Sequence, residues 1–127
     1  MFTIPEYRST VRLTHYGRKS HKEYQVTIWF TVIKDELWVG SLDENRGWVK
    51  NLRAGKRALV DFGEGRYEVA VEPLDSAEDL ERYRKAIEKK YPVLSVIVGL
   101  FVRNKKRAVM RLRPMEPAQY ARAKQHH

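Results

Sequence analysis

Cysteine is absent from the 127 residues, which excludes disulfides, zinc–thiolate centres and thiol nucleophiles. That absence fits a reducing cytoplasm. Long apolar runs are scarce too: the longest, Val93 to Val102, is about half the length a membrane-spanning helix needs. The opening MFTIPEYRST lacks the basic-then-apolar order of a signal peptide, so a soluble, cytoplasmic protein is expected. No H-E-x-x-H, G-x-S-x-G or Walker pattern occurs, which argues against the corresponding metalloprotease, hydrolase and P-loop chemistries. The histidines, His15, His21, His126 and His127, have no metal-ligating spacing. His15 stands at a strand end, and such a histidine is more often solvent-exposed or backbone-bonded than catalytic.

Charge, in contrast, is plentiful and one-sided. Lys and Arg number 25 against 16 Asp and Glu, a net charge of +9, which favours anionic partners. Nucleic acid, the anionic headgroups of a membrane surface met peripherally, and a phosphorylated cofactor all qualify. The length suits one domain with a real core, expected over residues 1–114, with 115–127 as a polar tail.

The chain is organised around Leu13 to Phe30, LTHYGRKSHKEYQVTIWF. Val11 and Leu13 alternate into a turn, Gly17-Arg18-Lys19-Ser20, and Tyr24, Val26, Ile28 and Phe30 leave it with period 2. Gly17 can take positive φ, which would tighten the turn and aim backbone N–H groups outward. Arg18 offers a fork of donors, Lys19 a point charge and Ser20 a hydroxyl, a set suited to phosphate or carboxylate. Trp29 and Phe30 can wall a flat ligand whose anionic end sits in the turn.

Around this stretch the expected strands are Ser9 to Thr14, Tyr24 to Ile33, Leu37 to Ser41, Lys56 to Phe62, Arg66 to Leu74 and Ala108 to Arg113. A short helix capped by Asn45 and closed by Gly55 presents Trp48, Val49 and Leu52, with Trp48 read as a core anchor and Asn51 beside that face. Asn51 is placed to bind backbone or cofactor. A longer helix opens at Ser76-Ala77-Glu78-Asp79, runs to about Lys90 and stops at Pro92. The run Val93 to Val102 reads equally as a buried strand, an apolar helix or a lid over a pocket. With no βαβ repeat, the pattern is mainly β with two helices, a small closed or partly open barrel.

GRKS after a strand, the TIWF strand that follows, and Trp48-Val49-Lys50-Asn51-Leu52-Arg53 together resemble the deazaflavin (F420)-dependent nitroreductase family. That family belongs to the flavin-binding, pyridoxamine-phosphate oxidase-like split β-barrels. The resemblance implies a split barrel of about six strands and a homodimer. Arg18, Lys19 and Ser20 would be its phosphate ligands, and Thr27, Ile28 and Trp29 the neighbours of the cofactor ring. Ser41 stands where relatives often have Ser-Lys-Gly-Gly, but Leu42-Asp43-Glu44 replaces the rest, which disfavours an acidic cofactor tail there. His21 replaces the small glycine usual after this turn.

Three readings compete. The first is an F420-dependent reductase passing hydride to a small flat acceptor such as a quinone or nitroaromatic. The second is an FMN- or other flavin-binding split barrel, with or without turnover. The third is a basic barrel stacking nucleic-acid bases on Trp29, Trp38 and Trp48, which is disfavoured because cations and aromatics are not interleaved on one strand.

Overall fold

The computed structural model describes residues 4–101 and 106–115, with the backbone alone over 97–101. The expected tail therefore lies almost wholly outside the described residues. Six antiparallel strands are present: β1 (Thr10–Tyr16), β2 (Glu23–Ile33), β3 (Glu36–Ser41), β4 (Arg57–Asp61), β5 (Arg66–Leu74) and β6 (Ala108–Pro114). They close into a barrel in the order β1-β2-β3-β6-β5-β4. Three helices accompany them: α1 (Gly47–Gly55), α2 (Ala77–Lys90) and α3 (Pro92–Phe101).

Period-2 alternation sends one side of every strand inward. Leu13, Phe30, Leu37, Val39, Val60, Val69, Met110 and Leu112 are fully buried inside the barrel. Phe30 meets Phe62 edge-on at 5.2 Å between ring centres. Val49 and Leu52 of α1 join this interior. On the outer wall Trp38, Leu74 and Val109 form a second cluster against Leu80 and Tyr83 of α2. Gly40 makes that docking possible, because a Cβ there would lie 2.8 Å from both the Tyr83 ring and the Ala108 carbonyl.

The turns explain the register. Ile33 pairs with Glu36, leaving Lys34 and Asp35 as a two-residue loop with φ of 51° and 64°, the primed turn that suits strand twist. Ser76 caps α2 as its sequence predicts, its Oγ accepting from the Asp79 N–H at 3.1 Å.

The ends of α1 differ from expectation. Its N-cap is Arg46, with no side-chain hydrogen bond, and the preceding Asn45 belongs to a turn in which Asp43 Oδ1 accepts the Asn45 N–H at 3.0 Å. At the other end Gly55 is the last helical residue and Lys56 takes the left-handed cap at φ 56°. Pro92 stops α2 and also opens α3, where its fixed φ and missing N–H cost nothing. The segment left open in sequence is thus a helix, and among the described residues no helix is long and apolar enough to cross a membrane.

Candidate functional site

The turn between β1 and β2 folds on its own hydrogen bonds. Gly17 N–H donates to the Lys22 carbonyl at 2.9 Å, His21 N–H to the Gly17 carbonyl at 3.1 Å, and Lys22 N–H to Ser20 Oγ at 3.2 Å. Those three donors are used within the turn, so the expectation of outward-pointing N–H groups rests on Arg18, Lys19 and Ser20. The positive φ expected at Gly17 falls instead on His21, at 59°. Gly17 is needed for space: a Cβ there would sit 2.6 Å from Ser20 Oγ and 3.3 Å from the Tyr24 ring. Ser20 accepts from Lys22 and so keeps its own proton for a ligand. Arg18, Lys19 and Ser20 are exposed and face one open cavity of about 550 Å3.

Two further elements complete this cavity. Gly47 and Trp48, in the first turn of α1, line it, and that helix end carries neither a side-chain cap nor an acidic residue. First-turn N–H groups have no intrahelical partner, and they carry the positive end of the helix dipole. Asn51, one turn on, donates its amide to His15 Nδ1 at 2.9 Å and accepts from Arg18 Nη1 at 3.1 Å. His15 is buried, not exposed or backbone-bonded as its strand-end position implied, and stacks on Tyr24 at 5.6 Å. Burial holds its pKa below the ordinary histidine value. No carboxylate lines the cavity among the described residues. Helix terminus, guanidinium, ammonium and hydroxyl converge on a space suited to an anion.

A second cavity, of about 280 Å3, lies across Trp48, which lines both. Its apolar wall comes from Ile28, Trp29, Trp48, Tyr83 and Ile87. Trp29 is held flat against Tyr91, with ring centres 4.5 Å apart and planes within 8°. Tyr91 is fixed in turn by its hydroxyl, which donates to the Ser9 carbonyl and lies 3.1 Å from the Phe30 carbonyl. Desolvation raises the pKa of both Tyr83 and Tyr91, so each remains a neutral phenol at physiological pH. Asp43, Arg46, Arg84, Glu88 and Arg107 form a polar rim.

The eight residues expected to hold a cofactor divide between these spaces. Arg18, Lys19, Ser20 and Asn51 meet in the basic cavity, while Ile28, Trp29 and Ser41 line the apolar one. Thr27 belongs to neither: it is exposed on β2 and pairs with Arg12. The Ser41 hydroxyl is engaged by its own loop, donating to the Asp43 carbonyl at 2.9 Å and accepting the Asp43 N–H at 3.1 Å. Of the carboxylates that replace the expected glycines, Asp43 lines the cavity, whereas Glu44 pairs with Arg53 at 3.2 Å. Trp48 is both a core contact and a wall of the two cavities, so its reading as a core anchor was half the answer. Tyr83 and Ile87, which are not among the expected site residues, share one apolar stripe of α2 with Leu80; that spacing is readable in the sequence, but the strand end it covers is not.

No protein-family model matches the sequence, and no curated protein matches it. Solved structures do match in fold. The heme storage protein HutZ from Vibrio cholerae aligns with a TM-score of 0.69 at 12% identity, over 91% of this chain and 92% of its own. An F420-H2 dependent reductase, FDR-A, aligns at 0.65 and 19% identity, over 83% of this chain and 94% of its own. A putative pyridoxamine 5'-phosphate oxidase from Listeria innocua aligns at 0.64 and 13% identity, over 87% of each chain. At these identities the likeness is one of fold, and the fold is the split barrel.

Proposed function

We propose that the protein is an oxidoreductase that binds deazaflavin F420 and passes hydride from the reduced cofactor to a flat apolar acceptor such as a quinone or nitroaromatic. The observation that carries the reading is Trp48, which stands between a basic cavity and an aromatic one. A cofactor with a phosphate at one end and a planar ring at the other matches that pair of spaces. Arg18, Lys19, Ser20 and the first turn of α1 would hold the phosphate. Trp48, Ile28 and the Trp29–Tyr91 stack would flank the ring and exclude water from it. The bound cofactor supplies the transferable hydride, and the protein supplies position and a dry wall. The fold shared with an F420-H2 dependent reductase supports this reading.

FMN is the second reading, favoured by one feature. Asp43 lines the apolar cavity beside Ser41, where relatives in the resembled family carry Lys-Gly-Gly after the serine. A carboxylate there repels an acidic tail, which FMN does not have. The nucleic-acid reading loses its aromatic platform: Trp38 is buried at 2% exposure and Trp29 is already stacked on Tyr91.

The proposal includes a homodimer and a cytoplasmic location. The apolar face of β2 from Trp29 to Ile33 is partly taken by Tyr91 of the same chain. Exposed apolar side chains stand instead on α3, at Val93, Leu94 and Val96. They are available to a second copy or to peripheral contact with a membrane surface.

The test is titration of the purified protein with reduced F420, FMN and FAD, followed by fluorescence and absorbance, then turnover with a quinone. Saturable F420 binding with turnover supports the proposal. FMN binding alone selects the second reading, and binding of none overturns both.

A further inference from the structure

Three side chains in the basic cavity have their protons fixed by elimination. Arg18 carries only donors, so the end of the Asn51 amide 3.1 Å from its Nη1 must be the carbonyl oxygen. The amide nitrogen then faces His15 Nδ1 at 2.9 Å. That nitrogen only donates, so Nδ1 accepts, and His15 is neutral with its proton on Nε2. The hydrogen-bond chain assigns a protonation state that no single contact reveals.

The same chain cannot survive a proton. A His15 cation donates from both ring nitrogens and meets the Asn51 amide donor to donor. Turning the amide over satisfies His15 but aims its NH2 group at Arg18, again donor to donor. Neutral His15 and the Arg18–Asn51 bond therefore stand or fall together.

We propose that His15 acts through Asn51 as a proton-linked latch on Arg18, tuning the grip of the basic cavity on a bound dianion. This rests on the reading of that cavity as an anion site. With His15 neutral, Asn51 occupies one Arg18 donor. With His15 protonated, Arg18 is released to the ligand and the imidazolium adds its own charge.

The groups around His15 leave this arrangement unopposed. Tyr24 stacks on it from β2, and the neighbouring Glu23 stands opposite Tyr16, not His15, in the β1–β2 register. From β4, Arg57 lies over the Tyr16 ring at 4.5 Å, and Asp61 pairs in register with Arg12. From α1 comes Asn51, with Lys50 exposed, and from the turn come Arg18 and Lys19. Of the charged groups named, Arg18 and Lys19 line the cavity together with His15, and their positive charge favours the neutral ring until an anion arrives. Burial acts in the same direction. Linkage then requires a dianion that favours the protonated ring to raise the His15 pKa, and acidification to tighten dianion binding by the same factor.

Inorganic sulfate tests this, because it stays a dianion between pH 5 and 8. The His15 ring protons are followed by NMR across that range with and without sulfate, and sulfate affinity is measured at both ends in wild type, His15→Gln and Asn51→Ala. The expected result is a His15 pKa about one unit higher with sulfate, and affinity about tenfold tighter at the acid end. His15→Gln should abolish that pH dependence. Asn51→Ala should bind more tightly at neutral pH and lose part of the dependence, since Arg18 is then free throughout. Sulfate binding with no pH dependence, or with the full dependence kept in either variant, overturns the latch and leaves the anion site standing. No sulfate binding at any pH overturns the anion site as well. Should His15→Gln fail to fold, the His15 pKa in wild type with and without sulfate decides the matter.

Discussion

The two cavities that share Trp48 are built in opposite ways. The basic one takes two cations and a hydroxyl from three consecutive residues, Arg18, Lys19 and Ser20, held by a turn that closes on its own hydrogen bonds. The apolar one is assembled from β2, the end of β3, α1, α2 and α3, and exists only once the barrel has closed and α2 has docked. One presents charge in an open space that salt screens. The other presents shape, on a wall set by the Trp29–Tyr91 stack. A local turn can therefore change its ligand chemistry by single substitutions without touching the fold. Its neighbour cannot, because each of its walls is also a packing contact.

The largest effect should come from the residue common to both. Trp48→Ala removes a half-buried indole that packs on the core, and large aromatic truncations cost about 3–5 kcal/mol. The lower end, about 3 kcal/mol, is expected because Trp48 is not fully buried, and chemical denaturation measures it. The cofactor should no longer bind. If sulfate binding survives unchanged while cofactor binding is lost, Trp48 joins two separable sites, and the comparison sharpens.

Next come the charges. Lys19→Ala and Arg18→Ala should each weaken cofactor binding about ten- to a hundredfold, the loss of one charge-assisted hydrogen bond worth roughly 1.5–3 kcal/mol. Both side chains are exposed, so stability should change by less than about 0.5 kcal/mol. The double change should be less than additive if both grip one phosphate. Raising salt should weaken the wild type more than either variant. Unchanged affinity for every flavin and deazaflavin would reduce the turn to ordinary surface and break the comparison on its basic side.

How far each cavity was legible follows from the same contrast. The basic turn was visible in four adjacent letters, and the barrel in the period-2 runs of Leu13, Ile28 and Phe30. The same alternation that buries Ile28 turns Thr27 outward, so its exposure was readable even though the resemblance placed it beside the ring. His15 and Asn51 were each noticed alone. Their contact depends on how α1 packs against β1, which no local pattern encodes. Tyr91 follows Tyr83 and Ile87 at helical spacing, but its partners are Trp29 and the backbone of Ser9 and Phe30, far off in the chain. The apolar run after Pro92 was ambiguous because periodicity cannot separate a buried strand from a short helix when every position is apolar.

Tyr91→Phe probes the apolar side at smaller cost. It keeps the stack on Trp29 but deletes the hydroxyl that binds the Ser9 and Phe30 carbonyls. A stability loss of about 1–2 kcal/mol is expected from the unpaired backbone groups. Turnover of a flat acceptor should fall as Trp29 loosens, while sulfate affinity stays as in wild type. Equal loss of both would mean that the two cavities are mechanically one.

The smallest effect should be a gain. His21 sits at φ 59° in the basic turn, a conformation that costs a side-chain-bearing residue about 1–2 kcal/mol relative to glycine, with histidine among the more tolerant residues. Glycine loses more chain entropy on folding, about 0.5–1 kcal/mol, which offsets part of the relief. His21→Gly should therefore stabilise the protein by about 0.5 kcal/mol, read as a small rise in the denaturation midpoint. The turn should keep its shape, because the His21 N–H still reaches the Gly17 carbonyl at 3.1 Å. Sulfate and cofactor affinity should not move, since His21 does not line the basic cavity. A destabilised variant would mean that the imidazole makes an interaction worth more than the strain. A stabilised variant with altered affinity would mean that the strained backbone at His21, and not charge alone, sets the grip of the turn.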